Sequence, residues 1–526
     1  MDSTLNKRGT IAVIGAGMGG LASAIRLAAA GQDVTLFEAA ATPGGKMRAL
    51  PSAAGPVDAG PTVLTLSHVF DELFASAGER IEDHVTLMRE DILARHWWPD
   101  GSTLDLHADA EASIEAVRAF AGDAASAEFA AFAATTRRLF EAFDAPMMQA
   151  ARPRLAGLTA HVMRNPALIP AMAPHLTLAQ NLAKRFTDPR LRQLFGRYAT
   201  YVGGSPYRSP ALLGLIWHAE AQGVWRVEGG MRALATALAG LAQQKGATIH
   251  YDTAVERIET SGDRVTGLVT AHGHHPADRI VFNGDPAALR RGLLGEGPRR
   301  AVGAKATAPR SLSAYVWSFA ATPSGRDLTH HNVFFGQEPR SEFDDLAAGR
   351  MPADPTLYVC AEDRGTGTAP PAQERFEIIM NGAPTSTALP QTDEASACQT
   401  LTFKALARSG LDFAPIPATS ALTTPAMFAN LFPGSDGSLY GRNPQGMMAA
   451  FHRPPARTAI RGLYLAGGGA HPGAGVPMAA LSGRHAAEAI FTDLASTSPS
   501  RRMDTHGGIS TGSPTIRAAP YPSSGS

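Results

Sequence analysis

The chain has 526 residues, 44% of them hydrophobic and 18% charged, which is too long for a single hydrophobic core and fits an ordered protein of two joined domains. Lysine plus arginine and aspartate plus glutamate each number 47, so no net field draws the whole surface to nucleic acid. The two cysteines, Cys360 and Cys398, form neither a metal-binding spacing nor a disulfide framework, so a reducing compartment and no metal site are expected.

The first ten residues lack the long apolar core of a secretory signal, and no apolar run reaches the roughly 18 residues of a spanning helix. Thr10–Ile14 reads as a buried strand, followed by Gly15-Ala-Gly17-Met-Gly-Gly20. A small-residue helix is expected from Leu21 to Ala30, ended by Gly31, and then a second strand, Asp33–Phe37, which stops at Glu38. In this β-α-β unit Gly15 permits the tight turn, Gly17 lets backbone approach a pyrophosphate, and Gly20 permits close helix packing. Glu38 is placed to accept hydrogen bonds from a ribose diol, and its charge disfavours a 2′-phosphate. Thr42-Pro-Gly-Gly45-Lys46-Met-Arg48 continues from the second strand, a Gly-Gly turn with two cations that can neutralise a pyrophosphate. This second turn points to FAD rather than NAD. Val57-Asp-Ala-Gly60-Pro61-Thr62 is a further turn that exposes backbone.

Residues Leu155 to Leu182 mix Leu, Met, Ile and Ala with His161, Arg164 and His175, interrupted by prolines. Two readings stand side by side: a broken amphipathic surface at a lipid interface, or an internal helical subdomain. Beyond it a helix is expected over Met231–Gln244, with strands over Thr248–Tyr251, Arg279–Phe282, Thr356–Cys360 and Phe376–Met380; the last two are read as lining a substrate cavity. A short strand, Leu463–Ala466, runs into the glycine-packed turn that starts at Gly467. A helix follows from about Pro477, its start offering unpaired N–H groups to anionic atoms. His471 in that turn either exchanges a proton near the cofactor or packs against Pro472, and catalytic residues stay unassigned. Ser496 to Ser526, rich in Ser, Thr, Pro and Gly, reads as a disordered tail.

Together these blocks resemble the flavin-dependent carotenoid desaturases of the bacterial phytoene-desaturase type, within the flavin amine oxidase superfamily. The resemblance spans about residues 10 to 492. It is carried by Gly15 to Glu38, Gly44 to Arg48, Asp58 to Thr62, Tyr201-Val-Gly-Gly-Ser-Pro206, Gly223 to Met231, Asn283-Gly-Asp285 and Gly462 to Ser482. The glycine motifs are common to many flavoproteins, whereas Gly467-Gly-Gly-Ala-His-Pro-Gly-Ala-Gly-Val476 is narrower. Gly55 to Thr65 and Phe432 to Arg442 look like the hydroxycarotenoid 3,4-desaturase subgroup of purple photosynthetic bacteria, the methoxyneurosporene dehydrogenases.

Read with this resemblance, the expected fold is α/β. A discontinuous Rossmann-like FAD-binding domain takes residues 1–70, 229–290 and 457–494. A β-rich substrate-binding domain takes 71–110 and 291–456, a helical, membrane-associating subdomain takes 111–228, and the tail takes 496–526. The implied FAD contacts are Gly15, Gly17, Gly20, Glu38, Gly45, Lys46, Gly60, Pro61, Thr62, Gly467, Gly475 and Val476, with Val255 meeting the adenine half through backbone groups. The implied reaction is desaturation of an acyclic 1-hydroxy carotenoid at C3–C4 by hydride transfer to flavin, with an undefined electron acceptor. The implied location is peripheral, on the cytoplasmic face of the inner or photosynthetic membrane. Phytoene desaturation, carotenoid isomerisation and non-enzymatic carriage of a prenyl lipid are the alternatives, and flavin-site blocks at both ends of the chain disfavour the carrier.

Overall fold

The computed structural model describes residues 9–390 and 392–497. Residues 1–8, read above as lacking a signal core, and residues 498–526 of the expected tail lie outside the described residues.

Five parallel strands form the first sheet, in the order Leu463–Leu465, Arg279–Phe282, Thr10–Ile14, Asp33–Phe37, Thr248–His250. Their near-continuous apolar runs suit a sheet covered on both faces. From the central strand Thr10–Ile14 the sheet extends both ways, which places a crevice at the carboxyl ends of its strands. Helices Met18–Ala29, Met231–Gln244 and Val476–Thr497 pack around it through Leu21, Ile25, Leu234, Leu238, Leu481 and Ile490. The first helix starts at Met18 rather than Leu21, inside the glycine motif, because Gly17 serves as its N-cap. The last helix includes Ser496 and Thr497, so the expected tail does not begin at 496.

A second sheet runs in the order Asp412–Ala414, Ser313–Ser324, Glu374–Gly382, Leu357–Ala361, His331–Phe334, Ile92–Trp97, Thr103–His107. One face carries Trp317, Phe376, Ile378 and Val359 against Phe403 and Leu406 of helix Glu394–Arg408. On the opposite face, Leu104, Leu106 and Val333 meet Phe129, Phe132, Phe186, Phe195 and Trp217 of the helical region. Ser318 Oγ on that same face donates to the carbonyl of Asp58, 3.1 Å away, so this face also meets the hairpin strand Gly55–Asp58.

Two expected boundaries move. Val69, Phe70, Leu73 and Phe74 of helix His68–Ser76, followed by Ile81 and Val85, share the core of the first sheet. Leu294, Ala301 and Val302 pack with Ile280 and Phe282. Apolar spacing recruits both segments to the parallel sheet, so edges at 70 and 290 do not divide the two halves. The strands expected at 248–251, 356–360 and 463–466 are Thr248–His250, Leu357–Ala361 and Leu463–Leu465; fraying at strand ends accounts for shifts of one residue.

The first and last helices touch backbone to backbone. A Cβ placed on Gly483 would collide with the Gly19 carbonyl oxygen and stand 2.8 Å from Ala22 Cβ. Gly483→Ala is therefore expected to lower stability by about 1–3 kcal/mol through overpacking, seen as a fall in thermal midpoint. Gly240, in helix Met231–Gln244, has open space around the same position, and Gly240→Ala should raise stability by about 0.5–1 kcal/mol. Equal effects of the two changes would contradict this packing.

Candidate functional site: a nucleotide cradle beside a buried polar row

Three distant segments converge at the carboxyl end of the Thr10–Ile14 strand. Gly15 has φ +96°, and its carbonyl accepts from Asn283 Nδ2 at 3.1 Å. A Cβ on Gly20 would collide with the carbonyl of Gly15, and one on Gly19 with the backbone N of Gly467. Gly44 N–H donates to Ala16 O at 2.9 Å, and Gly45 lies against Gly17. Gly467 N–H is held by Ser482 Oγ at 2.7 Å, and Gly475 precedes the helix that opens at Val476. Of the glycines expected to meet one cofactor, the fold sets Gly20 against Gly15, Gly45 against Gly17, and Gly467 against Gly19 at the start of the first helix.

Glu38 ends the second strand, and its carboxylate accepts Ala16 N–H at 2.6 Å and Ala40 N–H at 2.9 Å. The remaining lone pairs are what a ribose diol would use. Thr253 N–H donates to Glu38 O at 2.8 Å. Half-buried Val255, two residues on, opens the strand Val255–Ser261 beside this corner.

The far side of the cradle is cationic. Lys46 Nζ donates to Leu439 O at 2.6 Å. Loss of water pulls its pKa down to about 8; Asp285 opposes this, while Arg310 and Arg453 add to it. Desolvation likewise lowers Arg453 to about 10. Arg453 donates to the carbonyls of Gly468, Tyr440 and Arg442. The carboxylate acting on both cations is Asp285, already paired with buried Arg310. Two cations withdrawn from water without their own counter-charge, next to a side-chain-free cradle at a helix start, fit a pyrophosphate. A flat dinucleotide cofactor of the FAD type fits these residues.

Residues 18–319 match the family described as flavin containing amine oxidoreductase. The chain belongs to that family. It is 58% identical over 489 residues to a hydroxyneurosporene desaturase of Cereibacter sphaeroides, covering 93% of this chain and 98% of that one. It is 53% identical to a hydroxyneurosporene desaturase of Rhodobacter capsulatus, over 92% and 98% of the two chains, and 32% identical to a phytoene dehydrogenase of Streptomyces griseus, over 91% and 94%. Among solved structures, putrescine oxidase bound to putrescine aligns with a TM-score of 0.60 at 12% identity, over 92% of this chain and 99% of that one. At that identity it speaks for the fold alone.

In this flavin amine oxidoreductase the Gly60-Pro61-Thr62 turn meets the second sheet. Thr62 Oγ1 and Tyr358 Oη are 2.7 Å apart, and Tyr358 Oη is 2.6 Å from His331 Nδ1. A Cβ on Gly60 would collide with Lys46 O, which locks this turn to the cation-bearing one. Below it sit three carboxyls that the sequence reading did not assign to a role. Asp58 Oδ2 accepts Met231 N–H at 2.8 Å, Glu362 Oε1 accepts Asp58 N–H at 2.6 Å, and Glu377 is fully buried. Burial pushes Asp58 up to about 6 and Glu362 up to about 7, the latter reinforced by Asp58. A glutamate within the apolar run Phe376-Glu-Ile-Ile-Met380 was the available signal.

His471 is 4% exposed, with Nε2 2.9 Å from Ala150 O, so Nε2 carries the hydrogen and donates. Its ring stacks on His485, and burial lowers its pKa. This geometry ties the Gly467–Val476 turn to the segment around Ala150 and leaves Nε2 occupied. His330, His331 and Cys360 bring their ligand atoms within 4.8 Å of one another, a grouping that the cysteine spacing conceals. Burial, then His330 and the guanidiniums of Arg226 and Arg197, disfavour positive charge at His331.

Glu362 supplies a pH test. Its folded pKa lies above its unfolded value of 4.5, so its contribution to stability is full below about pH 4.5 and is lost as pH rises through 7. Glu362→Gln keeps the acceptor for Asp58 N–H but does not titrate. The thermal midpoint of the variant relative to wild type should climb between pH 5 and 7.5; a constant difference would contradict the assignment.

Proposed function

We propose that the chain is an FAD-dependent desaturase that removes two hydrogens from the C3–C4 bond of an acyclic 1-hydroxy carotenoid. The observation that carries this reading is the 58% identity running through 98% of a hydroxyneurosporene desaturase. Bound flavin supplies the hydride acceptor. The protein's share is orientation, exclusion of water and charge placement. The glycine cradle with Lys46 and Arg453 holds the diphosphate, Glu38 the ribose, and backbone beside Val255 the adenine half. The Gly60–Thr62 turn and the Gly467–Val476 turn flank the reacting end, where the second sheet presents the substrate. Phytoene desaturation is the weaker reading, because the phytoene dehydrogenase relative stands at 32% identity.

Expression in cells that accumulate a 1-hydroxy acyclic carotenoid should lengthen the polyene by one double bond and shift its absorption to longer wavelength. Unchanged pigment in the presence of flavin-loaded protein would remove the proposal.

The substrate dissolves in lipid, and the proposal includes peripheral attachment to a membrane on its cytoplasmic face. No helix among the described residues is long and apolar enough to cross a bilayer. The support is the surface formed by helices Leu155–Arg164 and Leu168–Met172, where Leu155 is 52%, Met163 66% and Ile169 41% exposed. Between Asp144 and Asp188 there is no acidic residue, while Arg152, Arg154, Arg164, Lys184 and Arg185 are present. Each basic residue near an anionic leaflet contributes about 1 kcal/mol. Wild-type protein should float with anionic vesicles, and the double change Leu155→Ser, Met163→Ser should leave most of it in the soluble fraction. Wild type remaining soluble would sink the membrane reading without touching the chemistry.

A further inference from the structure

Across four neighbouring strands of the second sheet, Ser318, Glu377, Cys360 and His331 stand directly opposite one another in register. They therefore share one face, and all are at most 3% exposed. Three of them have partners there. Ser318 donates to Asp58 O, Cys360 Sγ lies 3.5 Å from His330 Nε2, and His331 Nδ1 meets Tyr358 Oη. Two sets of atoms do not: both carboxyl oxygens of Glu377, and Nε2 of His331. The amide of Gly60 faces the Glu377 carboxyl without closing a hydrogen bond.

A buried polar group left without a partner keeps the cost of its lost water. The orphaned carboxyl sits where the cofactor turn Gly60–Thr62 meets the substrate sheet. The proposed substrate brings a second orphan of the same kind. Its hydroxyl-bearing carbon is separated from C3 by a single carbon, so a C3–C4 bond held at the flavin carries the hydroxyl into the same water-excluded region. Left unpaired there, that hydroxyl would incur a similar cost.

Resting on the desaturase reading above, we infer that Glu377 receives the tertiary hydroxyl of the carotenoid and is the residue that makes the enzyme select the hydroxylated substrate over the parent hydrocarbon. Pairing the two removes both penalties. The hydrocarbon lacks the partner and leaves the carboxyl orphaned, the asymmetry by which polar pockets reject analogues without a hydroxyl. Burial, then Asp58 and Glu362, hold the Glu377 carboxyl well above the usual carboxylate range, with the Arg48 guanidinium opposing. In its neutral form it donates to the hydroxyl oxygen and accepts the hydroxyl hydrogen.

The test uses flavin-loaded wild type, Glu377→Gln and Glu377→Met, each with the 1-hydroxy carotenoid and with the same hydrocarbon lacking the hydroxyl. Two quantities are read: the ratio of kcat/KM for the pair, and the Kd of each carotenoid from quenching of flavin fluorescence. E377M should lower both preference ratios at least tenfold, with the flavin absorption spectrum unchanged. E377Q, which keeps a donor and an acceptor, should retain most of the preference. Should E377M fail to fold, Glu377→Ala with flavin retained takes its place: a tenfold loss of both preference ratios is expected there, and an unchanged ratio would overturn the inference. The inference also falls if E377M keeps the wild-type ratio, or if it shifts the flavin spectrum and weakens both carotenoids equally, which would assign the carboxyl to the flavin. Failure of wild type to turn over the hydroxylated carotenoid would instead mark failure of the desaturase reading.

Discussion

The approach of helix Met18–Ala29 to helix Val476–Thr497 is the constraint on which the rest depends. These helices come from opposite ends of the chain, and they meet where Gly19 and Gly483 leave no room for a methyl group. At the same level Gly467 lies against Gly19, with its N–H fixed by Ser482. Side chains at these positions would hold the two ends apart and open the crevice at the carboxyl edge of the parallel sheet. Because backbone meets backbone, one helix start, one Gly-Gly turn and one C-terminal turn face a common space. Function is thus built into a packing distance before any reactive side chain is considered.

Charge is arranged around that space with opposite signs at its two ends. Beside the cradle, Lys46 and Arg453 are withdrawn from water without dedicated anions and have their pKa values lowered. Beneath the Gly60–Thr62 turn, Asp58, Glu362 and Glu377 are buried together and have theirs raised. Each group is driven towards neutrality by burial, so each end gains from a ligand of complementary chemistry: an anion at the first, a hydrogen-bonding neutral group at the second. The polarity matches a long ligand lying with its phosphates at one end and its reacting ring at the other.

Much of the nucleotide half was legible because it is written in local sequence. The strand Thr10–Ile14, Gly15 to Gly20, and the strand ending at Glu38 need only neighbouring residues to be interpreted. The polar row was not legible, because Ser318, Glu377, Cys360 and His331 become neighbours only through strand register. Apolar alternation marks a strand's buried face, but which strands pair and at what offset depends on connections that the strands' own residues do not carry. The same reason underlies the displaced boundaries. Helix His68–Ser76 and the segment holding Leu294 and Val302 join the parallel sheet by long-range apolar contacts, and composition does not change at either point. His471 shows the complementary case: its place in the turn was visible, whereas its partner, Ala150, lies 321 positions away.

A polar row in an otherwise apolar sheet needs a physical reason to persist. The far face of the same strands is filled by Trp317, Phe376, Ile378 and Val359, so these strands carry a close-packed apolar face without difficulty. Replacing buried polar or ionic groups by apolar ones of similar volume is often neutral or stabilising. Stability therefore does not favour a glutamate with both oxygens unpaired. Its position, opposite Ser318 and facing the Gly60 amide, puts the unpaired atoms at the edge of the cofactor turn rather than at random in the core. An unsatisfied group held at such a position is a reservoir of binding energy, released only to a ligand that completes its hydrogen bonds. For a substrate whose polar atom lies beside its reacting bond, that reservoir orients and discriminates in one step.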